Sequence, residues 1–475
     1  MSKNPTNLSS NAQSLSSNYD GSEHLQRKMK PRHLVMMSLG CAIGTGLFVG
    51  TGKAIAVAGP GVLIAFAIAS LLVILIMRMI GEMVAANPCS GALSVYVADA
   101  LGATAGSTVG WLWWLALVVS VAAEATASSV ILHNFIPSIP QWVMALSFLV
   151  AFTLFNLAAA SKFGEMEFWF AGIKIAAILA FLAVGISLAL GLVPNVPSPG
   201  LTNLFGNGDF LPNGLAGVGA ALLIVTFTYG GTEIIAIAAA ESSNPKENIA
   251  KAVRSMVYRI IVLFILPVTV MVTVLPWSSP ELITSPFVAV FKAAGLPSVQ
   301  VAMALVIALA LLSSLNANIY AASRLVFSLS ERDAAPKFLS KVASNKVPRA
   351  AVLASVSIGF VAIVLNYLWP ETVLLLLLNA VGSVNLLLWV GAVISQIILR
   401  KRADSAGIEL SFKMWCFPYL SYLAGFILVG FIVLSLLDNA SRYQIFMTGA
   451  VAVIIAFLCK RRIAKAVPLV ETVKN

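Results

Sequence analysis

Long apolar runs, each about the length of a bilayer crossing, fill the chain from residue 34 to residue 459. A crossing helix needs ~20 apolar residues. On that measure twelve spans are expected, at 34–58, 60–86, 107–132, 141–160, 166–191, 214–240, 255–276, 299–323, 350–368, 372–398, 415–436 and 443–460. The tightest hairpin is Trp369-Pro370-Glu371, between spans 9 and 10. Two runs interrupt their own pattern. Span 1 carries Gly40-Cys41-Ala42-Ile43-Gly44-Thr45-Gly46-Leu47-Phe48-Val49-Gly50 at its centre, and span 6 carries Phe227-Thr228-Tyr229-Gly230-Gly231-Thr232-Glu233. Each glycine inside a helix costs about 1 kcal/mol relative to alanine. Broken backbone at membrane depth persists only where it is buried in protein or lines a water-filled cavity.

Spans 1 and 6 are five crossings apart, so they traverse the membrane in opposite directions. Gly46 lies fourteen residues before Pro60, and Gly231 fourteen before Pro245. Matching interruptions in two halves point to an inverted repeat with a site near the bilayer midplane. The expected organisation is a tail at 1–32, a ten-helix core at 33–400 (halves 33–192 and 213–400), two added spans at 401–460 and a second tail at 461–475.

Composition sharpens the class. The chain has 475 residues, 59% hydrophobic and 10% charged, against about 25% charged in soluble proteins. This is an all-α polytopic membrane protein. The net charge of +11 forms no basic stripe with interleaved aromatics, so no nucleic-acid partner is expected. Instead Lys and Arg gather in the two tails and the even-to-odd connections, 24 against 3 on the opposite side. That asymmetry predicts cytoplasmic termini. Residues 1–26 are Ser- and Asn-rich with almost no apolar content, and read as a disordered tail rather than a signal peptide. Span 1 then acts as an uncleaved anchor behind the basic patch Arg27-Lys28-Met29-Lys30-Pro31-Arg32. Cys41, Cys89, Cys416 and Cys459 show no ligand spacing, and His24, His33 and His133 form no cluster. Reduced thiols, no metal and no cofactor are expected.

Two helix breaks suit a zwitterion. A half-helix that starts at a break offers free N–H groups to an anion. One that ends there offers carbonyls to an ammonium group. The carboxylate is assigned to the amides around Gly44, Thr45 and Gly46 with the Thr45 hydroxyl. The ammonium is assigned to carbonyls near Ala42, Phe227, Thr228 and Gly230. The plainer reading of such glycines is close helix packing, as Gly46xxxGly50 and Gly102xxxGly106xxxGly110 suggest. Lys174 lies ~12 Å into span 5 at ~1.5 Å per residue, and intramembrane charges are functional candidates by default. It is read either as a proton-exchanging group whose ammonium sits between span 1 carbonyls and Ser313/Ser314, or as a lysine near the inner interface. Glu124 either lines the cavity and takes part in coupling or pairs within the bundle. Glu233 either gates the cavity or caps the broken helix; Tyr229 is a gate candidate. Arg78 and Glu82 are read as an ion pair, and Asn316, Asn318, Asn379 and Asn385 as interhelical hydrogen bonds.

At these residues the chain resembles the amino acid–polyamine–organocation superfamily, over roughly 27–460. The motifs are Gly44-Thr45-Gly46-Leu47-Phe48, Ala58-Gly59-Pro60, Gly81-Glu82-Met83, Phe163-Gly164-Glu165-Met166-Glu167-Phe168-Trp169-Phe170, Ala238-Ala239-Ala240-Glu241 and Ala322-Ser323-Arg324. The resemblance implies a LeuT-type fold of two inverted five-helix repeats and proton-coupled uptake of amino acids. It implies substrate carboxylate contacts at Gly44, Thr45 and Gly46, and Lys174 near a vacated sodium site flanked by Ser313 and Ser314. Ile76-Met77-Arg78-Met79, Ile131-Leu132-His133 and Asn366-Tyr367 resemble 4-aminobutyrate permeases. Gly44-Thr45-Gly46 and Tyr229-Gly230-Gly231 resemble aromatic and general permeases. The expected activity is import of an amino acid, by proton symport, across the inner membrane. Exchange of amino acids is the near alternative, and a non-transporting amino-acid sensor the distant one. No constellation suggests an enzyme, and nothing in the chain fixes its oligomeric state.

Overall fold

The computed structural model describes Met36 and residues 43–89, 91–158, 163–194, 196–206, 210–240, 244–343, 347–369 and 372–466. Ala42, Cys41, His24, His33 and the Pro370-Glu371 turn lie outside these residues. Among the described residues the fold is helical, and ten helices are long and apolar enough to cross a membrane. Their outlines correct the expected ones. The second half of span 1 and span 2 form one near-continuous unit, Gly46–Ala86, joined by a tight turn at Gly59–Gly61. Gly59 takes φ +60 there, a conformation that glycine adopts without strain. Span 11, Tyr419–Ser435, is 17 residues long, shorter than a full crossing. Spans 8 and 10 run further at their C-terminal ends than their apolar content alone suggests, as Pro297–Glu331 and Val373–Ser405. Polar residues sustain the second extension, since Arg400 pairs with Asp404 one helical turn on.

Burial sorts the helices. In the apolar 18-residue stretch of span 6, 83% of the residues are buried, against 11% in that of span 12. Spans 1, 3, 6, 8 and 10 therefore build the centre, and spans 4, 5 and 12 face outward with large apolar side chains such as Leu154, Trp169 and Phe446 exposed. The outer surface is oily because its solvent is lipid.

Spans 1 and 6 lie antiparallel along a glycine seam. Gly46 meets the backbone of Thr228, Gly50 meets Ile224, and Gly217 meets the Val57 carbonyl. A Cβ at Gly46 or Gly217 would collide with backbone of the opposite helix. The packing role weighed for Gly46 and Gly50 is therefore real, and it brings the two breaks together. Gly106 packs on Ala98 and Gly110 on Leu329, so these two form a helix interface, whereas Gly102 has no neighbour there among the described residues and takes φ +97 at the helix start.

The expected Arg78–Glu82 pair is replaced by a clasp at one end of span 2. Arg78 stacks on Phe412 and Trp415 and donates to the Lys413 carbonyl at 2.8 Å. Glu82 accepts from Gln396 Nε2 at 2.9 Å, Arg400 Nη1 at 3.0 Å and the Met414 amide. Span 10 and the segment before span 11 offer Glu82 three donors, and the latter offers Arg78 a carbonyl acceptor and two aromatic faces, more than an i,i+4 pair supplies. Glu82→Ala leaves three donors without an acceptor. It should cost about 3 kcal/mol or more, read as a lower melting temperature of the purified protein in detergent, with Glu82→Gln intermediate.

Candidate functional site

A helix begins at Thr45, after a bend at Ile43 and Gly44, and its first turn is a π-turn over Gly46–Gly50. Extra-wide turns of this kind recur at functional sites. The opening amides of a helix have no acceptor within it. At Thr45 the acceptor is a side chain from span 3: Glu124 takes the Thr45 amide at 3.2 and 3.1 Å through its two oxygens, and the Thr45 hydroxyl at 2.6 Å. Glu124 is 3% exposed. A carboxylate thus occupies the place read for a substrate carboxylate, and it belongs to the protein. Gly44 is required for this arrangement, since a Cβ there would strike Glu124 Oε1 and crowd Ser314 Oγ.

Span 6 breaks as expected. Its helix Gly214–Tyr229 ends, and a second helix begins at Ile234. The Phe227 carbonyl accepts from the Gly230 amide at 2.9 Å within the break, and the Tyr229 carbonyl from the Thr232 hydroxyl at 3.0 Å. Glu233 does what the capping reading describes. It accepts the Gly231 amide at 3.1 Å, and its other oxygen takes the Trp389 indole N–H at 2.6 Å. Tyr229 turns away from the break: its hydroxyl meets Ser70 at 2.6 Å and its ring packs on Phe66 and Phe264.

Lys174 is 0% exposed and donates to Ser314 Oγ at 3.0 Å. Ser314 in turn donates to the Ile43 carbonyl at 3.0 Å. The ammonium therefore reaches span 1 through a hydroxyl. Ser313 faces elsewhere, donating to Glu167 at 2.9 and 3.0 Å. Glu167, also 0% exposed, lies 3.8 Å from the Lys174 ammonium.

A cavity of about 30 Å³ lies between the breaks, room for about two water molecules. Gly44, Gly46, Glu124, Phe227, Thr228, Gly230, Gly231 and Glu233 line it from spans 1, 3 and 6. Trp113, Ala116, Leu117 and Ser120 of span 3, Asn318 of span 8, and Val381 and Asn385 of span 10 complete the wall. Seven residues expected at the site thus meet around one space: Gly44, Gly46, Glu124, Phe227, Thr228, Gly230 and Glu233. Thr45 holds Glu124 at its edge. Tyr229, Lys174, Ser313 and Ser314 stand behind it.

Sequence reasoning did not single out Glu167, Trp389 or Trp113, and it read Asn385 as a helix–helix contact. Of the four asparagines, Asn316 does bridge helices, accepting from Asn156 at 2.8 Å. The signal for Glu167 was its spacing of seven residues before Lys174, which sets both on one face of span 5.

Comparison with known proteins agrees with this geometry. The family model described as "Amino acid permease" matches residues 33–471. The gamma-aminobutyric acid permease of Bacillus subtilis is 41% identical, with 92% of this chain and 94% of that protein covered. The aromatic amino acid transport protein AroP of Corynebacterium glutamicum is 43% identical over the same shares, 92% and 94%. The gamma-aminobutyric acid permease of Escherichia coli is 38% identical, covering 90% and 91%. Among solved structures, a mutant of the Eremococcus coleocola manganese transporter superposes with a TM-score of 0.54 at 14% identity, over 90% of this chain and 93% of that one. At that identity the likeness speaks for the fold alone. Two facing helix breaks in a multi-pass bundle, together with relatives at this identity and coverage, place the chain in the amino acid permease family, as a transporter and not an enzyme.

Proposed function

We propose that this permease imports a small amino acid together with a proton across the cytoplasmic membrane, with both termini inside. The observation that carries the reading is Glu124 seated on the Thr45 amide and hydroxyl. Two ionised carboxylates cannot share one cluster of donors without strong repulsion. A substrate carboxylate therefore gains the Thr45 site when Glu124 takes up a proton and swings off, so proton and substrate arrive together. Its ammonium group turns to the carbonyls of the span 6 break at Phe227, Thr228 and Gly230. Ala42 would extend that carbonyl set from span 1. Rocking of the two repeats then opens the site inward. Loss of the proton returns Glu124 to Thr45 and expels the substrate.

The same seat supports symport over exchange. Glu124 gives the unloaded carrier its own anion, so the carrier can return without a substrate. Lys174 fits a coupling role through its tie to Ser314 and the Ile43 carbonyl, with Glu167 as its counter-ion. Tyr229 and Glu233 fit gating by fixing the two ends of the span 6 break. The relatives' printed names support 4-aminobutyrate or another small neutral or aromatic amino acid as the substrate class.

Glu124→Gln removes the competing anion but keeps the shape. In proteoliposomes it should retain exchange of internal for external substrate and lose accumulation driven by a pH gradient at least tenfold. Wild-type accumulation in that variant removes the coupling role. Gly46→Leu should abolish uptake with protein still in the membrane, since any side chain there meets Thr228 backbone; undiminished uptake would sink the seam-and-site reading. Lys174→Ala strands Glu167 as an unpaired buried charge, which costs about 3–5 kcal/mol. The double variant Lys174→Ala/Glu167→Ala should regain most of that stability in a melting assay, yet still fail to accumulate substrate. A double variant that melts as low as Lys174→Ala would show that the two do not act as a pair.

A further inference from the structure

The breaks account for the main-chain groups of a substrate, and the wall that remains for its side chain is span 10. Asn385 is the polar residue that span 10 contributes to the cavity, beside Val381. It is 4% exposed, and its Nδ2 has no hydrogen-bond partner among the described residues. A buried donor left unpaired costs about 1–3 kcal/mol, so the position is held against a penalty. Other buried asparagine amides also have unpaired atoms, at Asn316, Asn366 and Asn379, but none of these lines the cavity.

The surroundings fix Asn385 where it is. Three residues earlier, Gly382 presses on the Leu223 carbonyl of span 6 so closely that a Cβ would collide. Four residues later, Trp389 is tied to Glu233. Span 10 is therefore locked to both halves of span 6, one helical turn to either side of Asn385. Gly230 makes room for the amide itself, since a Cβ there would lie 2.6 Å from Asn385 Nδ2. A glycine in the break and a buried amide packed beside it form one arrangement: a rigidly held amide in the cavity wall, with its Nδ2 left unpaired among the described residues.

We propose that Asn385 selects the substrate side chain by donating to an acceptor on it. The class is amino acids with short carboxamide or hydroxyl side chains, favoured over apolar side chains of equal size. This rests on the permease reading above. The physical basis is asymmetric: a polar side chain supplies the acceptor that the buried Asn385 donor lacks, and an apolar one of equal size leaves the penalty in place. Aromatic rings gain nothing from this donor, and 4-aminobutyrate has no side chain to meet it.

The test is ligand-induced thermal stabilisation of the purified, full-length protein, which reads binding whether or not a variant transports. L-Threonine against L-valine isolates the hydroxyl, and L-asparagine against L-leucine the carboxamide. The wild type should bind the polar member of at least one pair about tenfold or more tightly, and that pair names the acceptor. Asn385→Leu should bring the same ratio to within about twofold or invert it, while Asn385→Ser, which keeps a donor, retains part of it. Equal binding within both pairs by the wild type overturns the proposal, as does an unchanged ratio in Asn385→Leu. Tightest binding of L-phenylalanine or 4-aminobutyrate also overturns it, leaving the permease reading intact. Binding of no amino acid at all would fail that underlying reading instead.

Discussion

In a hydrocarbon solvent, each main-chain N–H must find an acceptor within the protein. An interrupted helix creates donors that its own backbone cannot satisfy. In this molecule the debt at Thr45 is met by Glu124 from span 3. Much of the centre follows from that contact. Gly44 must lack a side chain so the carboxylate can approach. Thr45 must carry a hydroxyl to add a second bond. Gly46 must lie flat against Thr228 so that the opposing break comes within reach. Such demands explain a glycine-rich segment in a span where each glycine weakens the helix.

Charge at the centre is arranged in separate compartments. Glu124 is held by span 1, Glu233 by Gly231 and Trp389, and Glu167 by Ser313 with Lys174 nearby. Three carboxylates and one ammonium thus share a small buried volume. Removing ions from water is costly, and a partner recovers that cost only with good geometry and further hydrogen bonds. Each carboxylate here has hydrogen-bond donors of its own. A string of contacts nevertheless links the compartments, from Glu167 through Lys174 and Ser314 to the Ile43 carbonyl, next to the break where Glu124 sits.

Much of this was legible in the sequence because it rests on local chemistry. Glycines in mid-span mark both breaks, and the matching distance to a proline pairs them. Lys174 stands out because a lone cation in an apolar run has few innocent explanations. Glu233 lies two residues from the amide it caps, so its role too was within reach. What stayed hidden depends on partners far apart along the chain. Thr45 and Glu124 are 79 positions apart, and Trp389 and Glu233 are 156 apart. Glu167 fell at the expected edge of span 5, where an acidic residue looks interfacial; the helix starts earlier, at Phe163, which draws it inside. The connecting helices Pro245–Arg254 and Pro286–Ala293 are too short to leave the apolar signature that revealed the spans.

The π-turn at Gly46–Gly50 carries a consequence for how such a site evolves. It inserts an angular offset between the turn that holds the anion and the seam that runs from Gly50 to Val57. Helical residues advance by about 100° each. Losing one residue within those five would therefore rotate the Thr45 amide away from span 3 and carry Gly46 off Thr228, while the contacts beyond Gly50 stay in register. Aim and adhesion thus overlap at Gly46, which opens the π-turn and also lies against the Thr228 backbone, so the ligand end cannot be re-pointed without disturbing the top of the interface.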